Sequence, residues 1–206
     1  MKLEIKNTCK QFNGKKVLDN FSLQFPQSGV VCLFGPSGCG KTTLLNCIAG
    51  MERLDSGVIA GTENHRISCI FQEDRLLPWV SANENVAAVL RGNAKQNAGE
   101  AAQWLEQVGL AGEGEKRPDE LSGGMRQRVA IARALAYSGE LYLLDEPFHA
   151  LDEKAKQEVI ALIREKTPNA LKILVTHDMR EAELLADIIY VLSGPPLKIV
   201  HIITKC

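Results

Sequence analysis

The sequence predicts an α/β fold, and three observations support it. An apolar run over residues 30–34 leads into a glycine-rich loop, which is followed by helix-forming residues at 42–49. Two more short apolar runs, 141–145 and 172–175, have the length of buried parallel strands. Helical patterns separate these runs, as expected when helices connect the parallel strands of one sheet. Ligands of such sheets bind at the carboxyl ends of the strands.

The first part of the chain has the alternation of β-strands. Leu3 and Ile5 alternate with polar residues, as do Phe21, Leu23 and Phe25. A turn at 11–14 separates the two patterns and carries an aromatic residue, Phe12. By itself Phe12 fits a core or hairpin position. Because it precedes a phosphate-binding pattern, it also fits a position that stacks on an adenine ring.

The glycine-rich loop fits G-x-x-x-x-G-K-[ST] without a mismatch. Its glycines allow backbone N–H groups to converge on one centre, and the following helix adds its positive end. Lysine in this pattern reaches the β- and γ-phosphates of a nucleotide, and the next hydroxyl ligates Mg²⁺. The predicted nucleotide-binding residues here are Gly35, Pro36, Ser37, Gly38, Cys39, Gly40, Lys41, Thr42 and Thr43.

Six cysteines are scattered along the chain, and none forms a C-x-x-C pair. The sequence therefore indicates neither a zinc site nor a redox dithiol. Cys39 has two interpretations, because it lies inside the loop. It either fills space at a tolerant position, or it is a thiol whose alkylation blocks nucleotide binding.

The middle of the chain is mostly helical. Helical patterns cover 82–90, 98–108 and 126–136, and a serine–glycine turn at 121–124 precedes the last of them. We expect a single domain over 1–206, with an α/β core formed by 1–72 and 138–206. The segment 73–137 is predicted to be an inserted helical lobe.

Polar residues follow several predicted strands. Gln72 ends one apolar run, Asp145 and Glu146 end a second, and His177 follows a third. Separately, Gln72 fits a surface loop, His177 a structural histidine, and the turn at 121–124 a helix N-cap. Together and in this order they predict one site for phosphate chemistry.

This set of motifs resembles the nucleotide-binding subunit of ATP-binding cassette (ABC) transporters over essentially the whole chain. Residues 35–42 look like the Walker A loop, 141–145 like Walker B, and 121–127 like the family signature. Gln72 and His177 match the Q-loop glutamine and the switch histidine, and 149–152 corresponds to the D-loop, with His149 where serine is more usual. The resemblance implies a P-loop NTPase of the ABC type, with a RecA-like α/β core, an N-terminal antiparallel β region and an inserted helical lobe.

The resemblance also implies the role of each residue. Lys41, Glu146 and His177 are the expected catalytic residues, and Thr42, Gln72 and Asp145 the expected Mg²⁺ ligands. Phe12 and the loop residues are expected to bind ATP within one chain. Ser122, Gly123 and Gly124 are expected to cover the γ-phosphate of ATP bound by a second copy, so that a head-to-tail homodimer closes two sites.

The overall composition limits which classes of partner are expected. The formal net charge is −1, which does not indicate a nucleic-acid surface. No apolar run approaches the ~18 residues that span a bilayer, and the first residues lack the apolar stretch of a signal peptide. These features predict a cytosolic protein. The resemblance to ABC transporters implies that it works at the cytoplasmic face of the cell membrane with separate integral membrane permease subunits.

The segment 72–79, which runs into Leu-Leu-Pro-Trp, is similar to the importer subgroup for nitrate, sulfonate and taurine. Leu76, Leu77 and Trp79 either receive a permease helix or pack the helical lobe. The expected function is ATP-driven import of a small solute, with a solute-binding protein in the full system and no nucleic acid. Alternatives are a soluble ABC ATPase acting on ribosomes or nucleic acid, and a regulatory cassette that does not hydrolyse ATP. The short spacing from Lys41 to Gln72 predicts a trimmed cassette without an added regulatory domain.

Overall fold

A computed structural model describes residues 2–205. Its helices are α1 (Lys41–Ile48), α2 (Ala82–Ala87), α3 (Ala94–Gln107), α4 (Gly123–Tyr137), α5 (Glu153–Lys166) and α6 (Met179–Leu185). Its strands are β1 (Glu4–Phe12), β2 (Lys15–Gln24), β3 (Gly29–Phe34), β4 (Ser56–Ala60), β5 (Ile67–Ile70), β6 (Leu141–Asp145), β7 (Leu171–Thr176), β8 (Ile188–Ser193) and β9 (Lys198–Thr204).

Strands β1, β2 and β4 form a three-stranded sheet in the order β2-β1-β4. Both pairings are antiparallel. The β1–β2 hairpin turns at Asn13 and Gly14, which both have positive φ angles, as a two-residue hairpin turn of the primed type requires. The N-terminal antiparallel region predicted from the sequence is therefore present.

The other six strands form a second sheet in the order β5-β6-β7-β3-β8-β9. Strand β7 pairs in parallel with both β6 and β3, with Asp145 opposite Val175 and Phe34 opposite Thr176. Strands β6, β7 and β3 are therefore adjacent and end at the same edge of the sheet. The loop at 35–40 follows β3, the acidic pair 145–146 lies at the carboxyl end of β6, and His177 follows β7.

The chain divides into two compact units. Unit 1 comprises 1–69, 140–146 and 169–206, and unit 2 comprises 70–139 and 147–168. The sequence assigned 147–168 to the α/β core, whereas this segment groups with the helical residues. It packs against α4, where Nε2 of Gln127 donates a hydrogen bond to the carbonyl oxygen of Pro147. The division into an α/β core and a helical lobe at 72 and 138 stays a prediction from the sequence.

Unit 1 is stabilised by apolar side chains from both of its sheets and from α1. They include residues of β1, β2 and β3, and α1 contributes Leu44, Leu45 and Ile48. Burial of this kind contributes roughly 25 cal/mol for each Å² of apolar surface removed from water. In unit 2, the buried residues of α3 and α4 include Leu105, Val129 and Ile131.

Two helices begin earlier than the sequence patterns predicted. Helix α4 was expected from residue 126 but begins at Gly123, because the hydroxyl of Ser122 accepts a hydrogen bond from the N–H of Met125 (3.2 Å) and caps it. Helix α3 was expected from 98 but begins at Ala94, since Asn93 and Gln96 form a reciprocal capping box. The polar caps outweighed the weak apolar periodicity of these first turns.

Across residues 2–205, no helix combines the length and the apolar character needed to cross a membrane.

Candidate functional site

The glycine-rich loop, referred to below as the phosphate loop, lies between β3 and α1 in unit 1. Gly40 has φ +115°, and a Cβ there would lie 2.9 Å from Cγ1 of Val17, so both backbone angle and space require glycine. Lys41 is buried, and its Nζ donates hydrogen bonds to the carbonyl oxygens of Gly35 (2.7 Å) and Pro36 (2.8 Å). The ammonium group is therefore held inside the loop.

Helix α1 begins directly after this loop, with Gly40 at the N-cap position. Glycine has no side chain with which to cap the helix, so the first N–H groups of α1 meet no side-chain acceptor from this residue. The side chain of Thr42 is exposed at the first turn, and Thr43 is partly exposed. A converging set of N–H donors, a lysine and a hydroxyl is suited to an anion such as a phosphate.

Cys39 is fully buried and belongs to the apolar core of unit 1. Its Sγ lies 3.8 Å from Nζ of Lys41. Burial of the side chain favours the space-filling interpretation over a reactive thiol, because a modifying reagent needs access to the sulfur.

The carboxyl end of β6 carries the two acidic residues. Asp145 is 5% exposed. Glu146 follows it with φ +45°, unusual for a residue other than glycine, and its N–H donates to the carbonyl oxygen of Val175 (2.9 Å). This bond to β7 stabilises the unusual backbone angle, which turns the chain sharply at the strand end.

The side chains of Glu146 and His177 are in contact. Nδ1 of His177 lies 2.9 Å from Oε1 of Glu146, and the histidine side chain is 60% exposed while that of the glutamate is 15% exposed. A carboxylate oxygen accepts, so Nδ1 is the donor and Nε2 remains for another partner. The structure thus brings together two of the three predicted catalytic residues.

Three residues that the sequence patterns did not identify hold the histidine segment. The hydroxyl of Thr176 donates to Oε2 of Glu181 (2.7 Å) and accepts from the N–H of Asp178 (3.0 Å). Oδ1 of Asp178 accepts from the N–H of Arg180 (2.8 Å), at the start of α6. The Thr-His-Asp sequence before a helix was a detectable capping signal, whereas the buried Glu181 gave none.

Phe12 lies at the end of β1, and 43% of its surface is exposed. Nζ of Lys10 lies 4.8 Å from the centre of its ring. An exposed aromatic ring is suited to stacking on a base, so the structure favours this interpretation of Phe12 over a core position.

The serine–glycine turn is part of unit 2. Gly124 lies in the first turn of α4, and a Cβ there would lie 2.8 Å from the carbonyl oxygen of Ala150. Nε2 of Gln127 donates to the carbonyl oxygen of Pro147 (2.8 Å). The start of α4 is therefore packed tightly against the segment that contains His149 and Asp152.

Gln72 also lies in unit 2 and is exposed. The residues that follow it are fixed to α4, because Nε of Arg126 lies 2.9 Å from Oδ2 of Asp74. The guanidinium of Arg133 donates to the carbonyl oxygens of Asp74 and Arg75, both at 3.0 Å.

The apolar residues that follow differ in exposure. Leu76 is buried, whereas Leu77 and Trp79 are 36% and 68% exposed.

The sequence matches the model of a known family, described as ABC transporter, over residues 18–149. The chain belongs to the ABC transporter family. This match covers the loop at 35–43, the serine–glycine turn and the acidic pair at 145–146, so it confirms the family predicted from those motifs.

Solved structures and curated proteins of the ABC transporter family agree with this assignment. The cassette MJ0796, solved as a dimer in a post-hydrolysis state bound to ADP and Pi, has a TM-score of 0.88 and 27% identity, with 98% of each chain covered. The predicted fold class is therefore confirmed.

An aliphatic sulfonates import ATP-binding protein SsuB 1 from Pseudomonas fluorescens is 45% identical, covering 93% of this chain and 73% of its own length. A sulfate/thiosulfate import ATP-binding protein CysA from Vibrio vulnificus is 40% identical over 94% of this chain. The chain spans 61% of the length of that relative. The names of both relatives agree with the prediction of an ATP-binding import subunit.

Proposed function

We propose that this chain is the ATP-hydrolysing subunit of a membrane importer. The observation that supports this most is the alignment of three neighbouring parallel strands, β6, β7 and β3, at one edge of the sheet. The acidic pair, His177 and the loop with Lys41 follow these strands. Groups that bind phosphate and groups that activate water thus come from the same edge of one rigid sheet.

In this proposal the loop and the start of α1 bind the phosphates of ATP. The backbone N–H groups and Lys41 neutralise the charge, and Phe12 stacks on the base. Lys41 now bonds the carbonyl oxygens of Gly35 and Pro36, so it exchanges these partners for phosphate oxygens when ATP binds.

The donor groups also fit Mg²⁺. Asp145 supplies a buried carboxylate and Thr42 a hydroxyl, and Mg²⁺ prefers such oxygen ligands together with substrate phosphates. Within residues 2–205, no group of three or more His, Cys, Asp or Glu forms a separate metal cage. Thr42 and Asp145 would hold the ion, with Gln72 as a further ligand, and the bound ion would offset charge on the phosphates.

Hydrolysis is assigned to Glu146 and His177. Glu146 orients and deprotonates the attacking water, which is the task of a general base near the γ-phosphate. His177 contacts the γ-phosphate through Nε2, since Nδ1 is held by Glu146. Lys41 stabilises the charge that develops on the transferred group.

A second copy of the chain completes each site. Ser122, Gly123 and Gly124 lie at the start of α4, where N–H groups and the positive helix end favour an anion. Because each chain has one loop and one such turn, a head-to-tail pair of chains would enclose two ATP molecules. The family resemblance assigns these residues to the ATP of the partner.

The permease subunits are assigned to the exposed apolar residues after Gln72. The sequence left open whether these three residues pack the helical lobe or contact a permease. Leu76 is buried inside unit 2 and is a packing residue, whereas Leu77 and Trp79 are exposed and available for a contact. A large exposed indole is typical of a contact residue at a protein interface. We propose that these residues contact integral membrane subunits and that the chain works at the cytoplasmic face of the membrane.

The solute is a small oxyanion of the sulfonate class, because several relatives are named for aliphatic sulfonates. A solute-binding protein would deliver it outside the membrane.

The first test of this function is ATP binding and steady ATP hydrolysis by the purified chain. Lys41→Ala is expected to weaken ATP binding by at least about tenfold, since it removes a charge-assisted contact to phosphate. Lys154→Ala is the matched control, because Lys154 is 88% exposed and lies on α5. Equal ATP affinity in wild type and Lys41→Ala would show that this loop does not bind ATP.

The second test separates an importer subunit from a soluble ABC ATPase. A tagged form of the chain is expressed in its native cells and purified from detergent-solubilised membranes. Stoichiometric recovery of a permease supports the importer, and a Trp79→Ala variant should lose it while it keeps ATP hydrolysis. Recovery with ribosomes or nucleic acid instead would overturn the proposal.

A further inference from the structure

The end of β1 carries a buried lysine beside the aromatic residue assigned to the base. Nζ of Lys10 lies 4.8 Å from the centre of the Phe12 ring. Lys10 is 8% exposed, whereas Phe12 is 43% exposed. The ammonium group therefore covers part of the ring, and the rest of the ring surface stays open.

Lys10 is held by the turn between α1 and β4. Its Nζ donates to Oε1 of Glu52 (2.6 Å) and to the carbonyl oxygen of Arg53 (2.8 Å), and Oδ1 of Asp55 lies at 3.8 Å. The hydrogen bond to Glu52 raises the pKa of Lys10, so the group stays charged at neutral pH. A long side chain that is otherwise flexible is thus fixed in one place.

The same turn also fixes the backbone on both sides of Lys10. Oδ2 of Asp55 accepts a hydrogen bond from the N–H of Gln11 (2.8 Å). The N–H of Asp55 donates to the carbonyl oxygen of Cys9 (2.9 Å). Three consecutive residues of β1 that lead to Phe12, namely Cys9, Lys10 and Gln11, are therefore each connected to the turn.

The turn is also connected to α1, the helix that follows the phosphate loop. The N–H groups of Met51 and Glu52 both donate to the carbonyl oxygen of Asn46, at 2.9 and 3.2 Å. Asn46 belongs to α1, which begins at Lys41. The phosphate loop is therefore linked to Phe12 through helix α1, the hydrogen bonds of Glu52 with Asn46 and Lys10, and the contact of Lys10 with the Phe12 ring.

We propose that Lys10 is a positioning residue for the nucleotide base. Together with Glu52 and Asp55, it holds the Phe12 ring at a fixed place relative to the phosphate loop, and the base stacks on the open part of the ring. A ring that is already held loses less freedom when a base binds, and the ammonium group contributes a cation–π attraction that keeps it there. This inference rests on the proposed function, because it needs a nucleoside triphosphate in the loop.

The experiment compares two ligands that share the triphosphate but differ in the base. Equilibrium binding of Mg–ATP and of Mg–tripolyphosphate is measured for wild type, Lys10→Met and Lys6→Met. Lys6 lies on the same strand with a 60% exposed side chain and serves as the control. Lys10→Met should bind ATP about threefold to tenfold more weakly, with unchanged tripolyphosphate affinity, and Lys6→Met should match wild type for both ligands.

Three more variants separate positioning from general stability. Lys10→Arg keeps the charge and should recover most of the ATP affinity. Glu52→Gln leaves Lys10 in place but weakens its anchor, and should give an intermediate loss. The double variant Lys10→Met/Phe12→Ala should bind ATP hardly more weakly than Phe12→Ala alone, because Lys10 acts on ATP only through the Phe12 ring.

Two results would overturn the inference. One is a folded Lys10→Met protein that binds ATP as wild type does. The other is an equal loss for ATP and tripolyphosphate, which would mean a general effect on the loop. Failure of the proposed function looks different: wild type itself would then not bind ATP, or Lys41→Ala would bind it equally well.

Discussion

Nδ1 of His177 and Oε1 of Glu146 lie 2.9 Å apart, although 31 positions separate the two residues in the sequence. The contact exists because β6 and β7 are adjacent parallel strands that end together, with Glu146 bonded through its N–H to Val175. The carboxylate thus has an oriented partner.

Replacing Glu146 with glutamine keeps the shape of the side chain but removes the carboxylate that accepts a proton. Glu146→Gln should therefore bind ATP normally and lower the rate of hydrolysis by at least about 10²-fold, as expected for loss of a general base. With Mg–ATP it should elute as a dimer in size-exclusion chromatography. Glu165→Gln, an exposed change on α5, is the control. Near-normal hydrolysis by Glu146→Gln would exclude Glu146 as the base.

Removing the imidazole tests whether the two residues act as one unit. His177→Ala should retain ATP binding and lower the hydrolysis rate by about 10-fold to 10³-fold, because the γ-phosphate and Glu146 both lose a partner. The double variant with Glu146→Gln should be hardly slower than the slower single variant. Single-turnover hydrolysis measures all three. If the loss of rate in the double variant equals the product of the losses in the two single variants, the two residues act independently.

Most of the fold could be predicted from the sequence, because its signals are local. The buried strands β3, β6 and β7 appear as short apolar runs, and the loop before Lys41 is an uninterrupted motif. The starts of α3 and α4 were placed three to four residues late, since Asn93 and Ser122 act through side-chain caps rather than apolar periodicity. The grouping of 147–168 with the helical unit depends on tertiary packing that no local pattern reports.

The sequence motifs name candidate site residues one by one, whereas the contacts that support those residues cannot be predicted from the motifs. Motif spacing identified Lys41, Glu146 and His177 as candidates. The contacts of Lys10 with Glu52 and Arg53 join residues more than 40 positions apart, so they emerge only from the packing of β1 against the turn after α1. The burial of Cys39 likewise depends on neighbours that are distant in the sequence.

Two adjacent glycines at the start of α4 offer a matched pair. A Cβ on Gly124 would lie 2.8 Å from the carbonyl oxygen of Ala150, whereas the nearest atom to a Cβ on Gly123 is a guanidinium nitrogen of Arg126 at 3.9 Å. Gly124→Ala should therefore lower the free energy of unfolding by about 1–3 kcal/mol through overpacking. Gly123→Ala should be neutral or stabilising by up to about 1 kcal/mol, because alanine favours helix. Urea unfolding of both variants measures this, and equal stabilities would contradict the close packing at Ala150.

Acid sensitivity should depend on the contact between His65 and Glu140. Nδ1 of His65 is hydrogen-bonded to Oε2 of Glu140, and this bond lowers the pKa of Glu140 from 4.5. A carboxyl group with a lowered pKa in the folded state adds stability above its unfolded pKa and loses it as the pH falls through the folded value. Wild type should therefore melt slightly above His65→Ala at neutral pH, by less than about 3 °C because the pair is exposed.

The difference in melting temperature between wild type and His65→Ala should narrow as the pH falls from the ordinary carboxyl pKa of 4.5 through the lowered pKa of Glu140 in the folded wild type, where the carboxylate becomes protonated. In a Glu140→Gln background, the group that titrates is absent, so the effect of His65→Ala should stay constant over the same range. Differential scanning fluorimetry between about pH 7 and pH 3 measures both series. A difference that widens between about pH 4.5 and pH 3 would assign the pH dependence in that range to another group, because protonation of Glu140 can only weaken this contact.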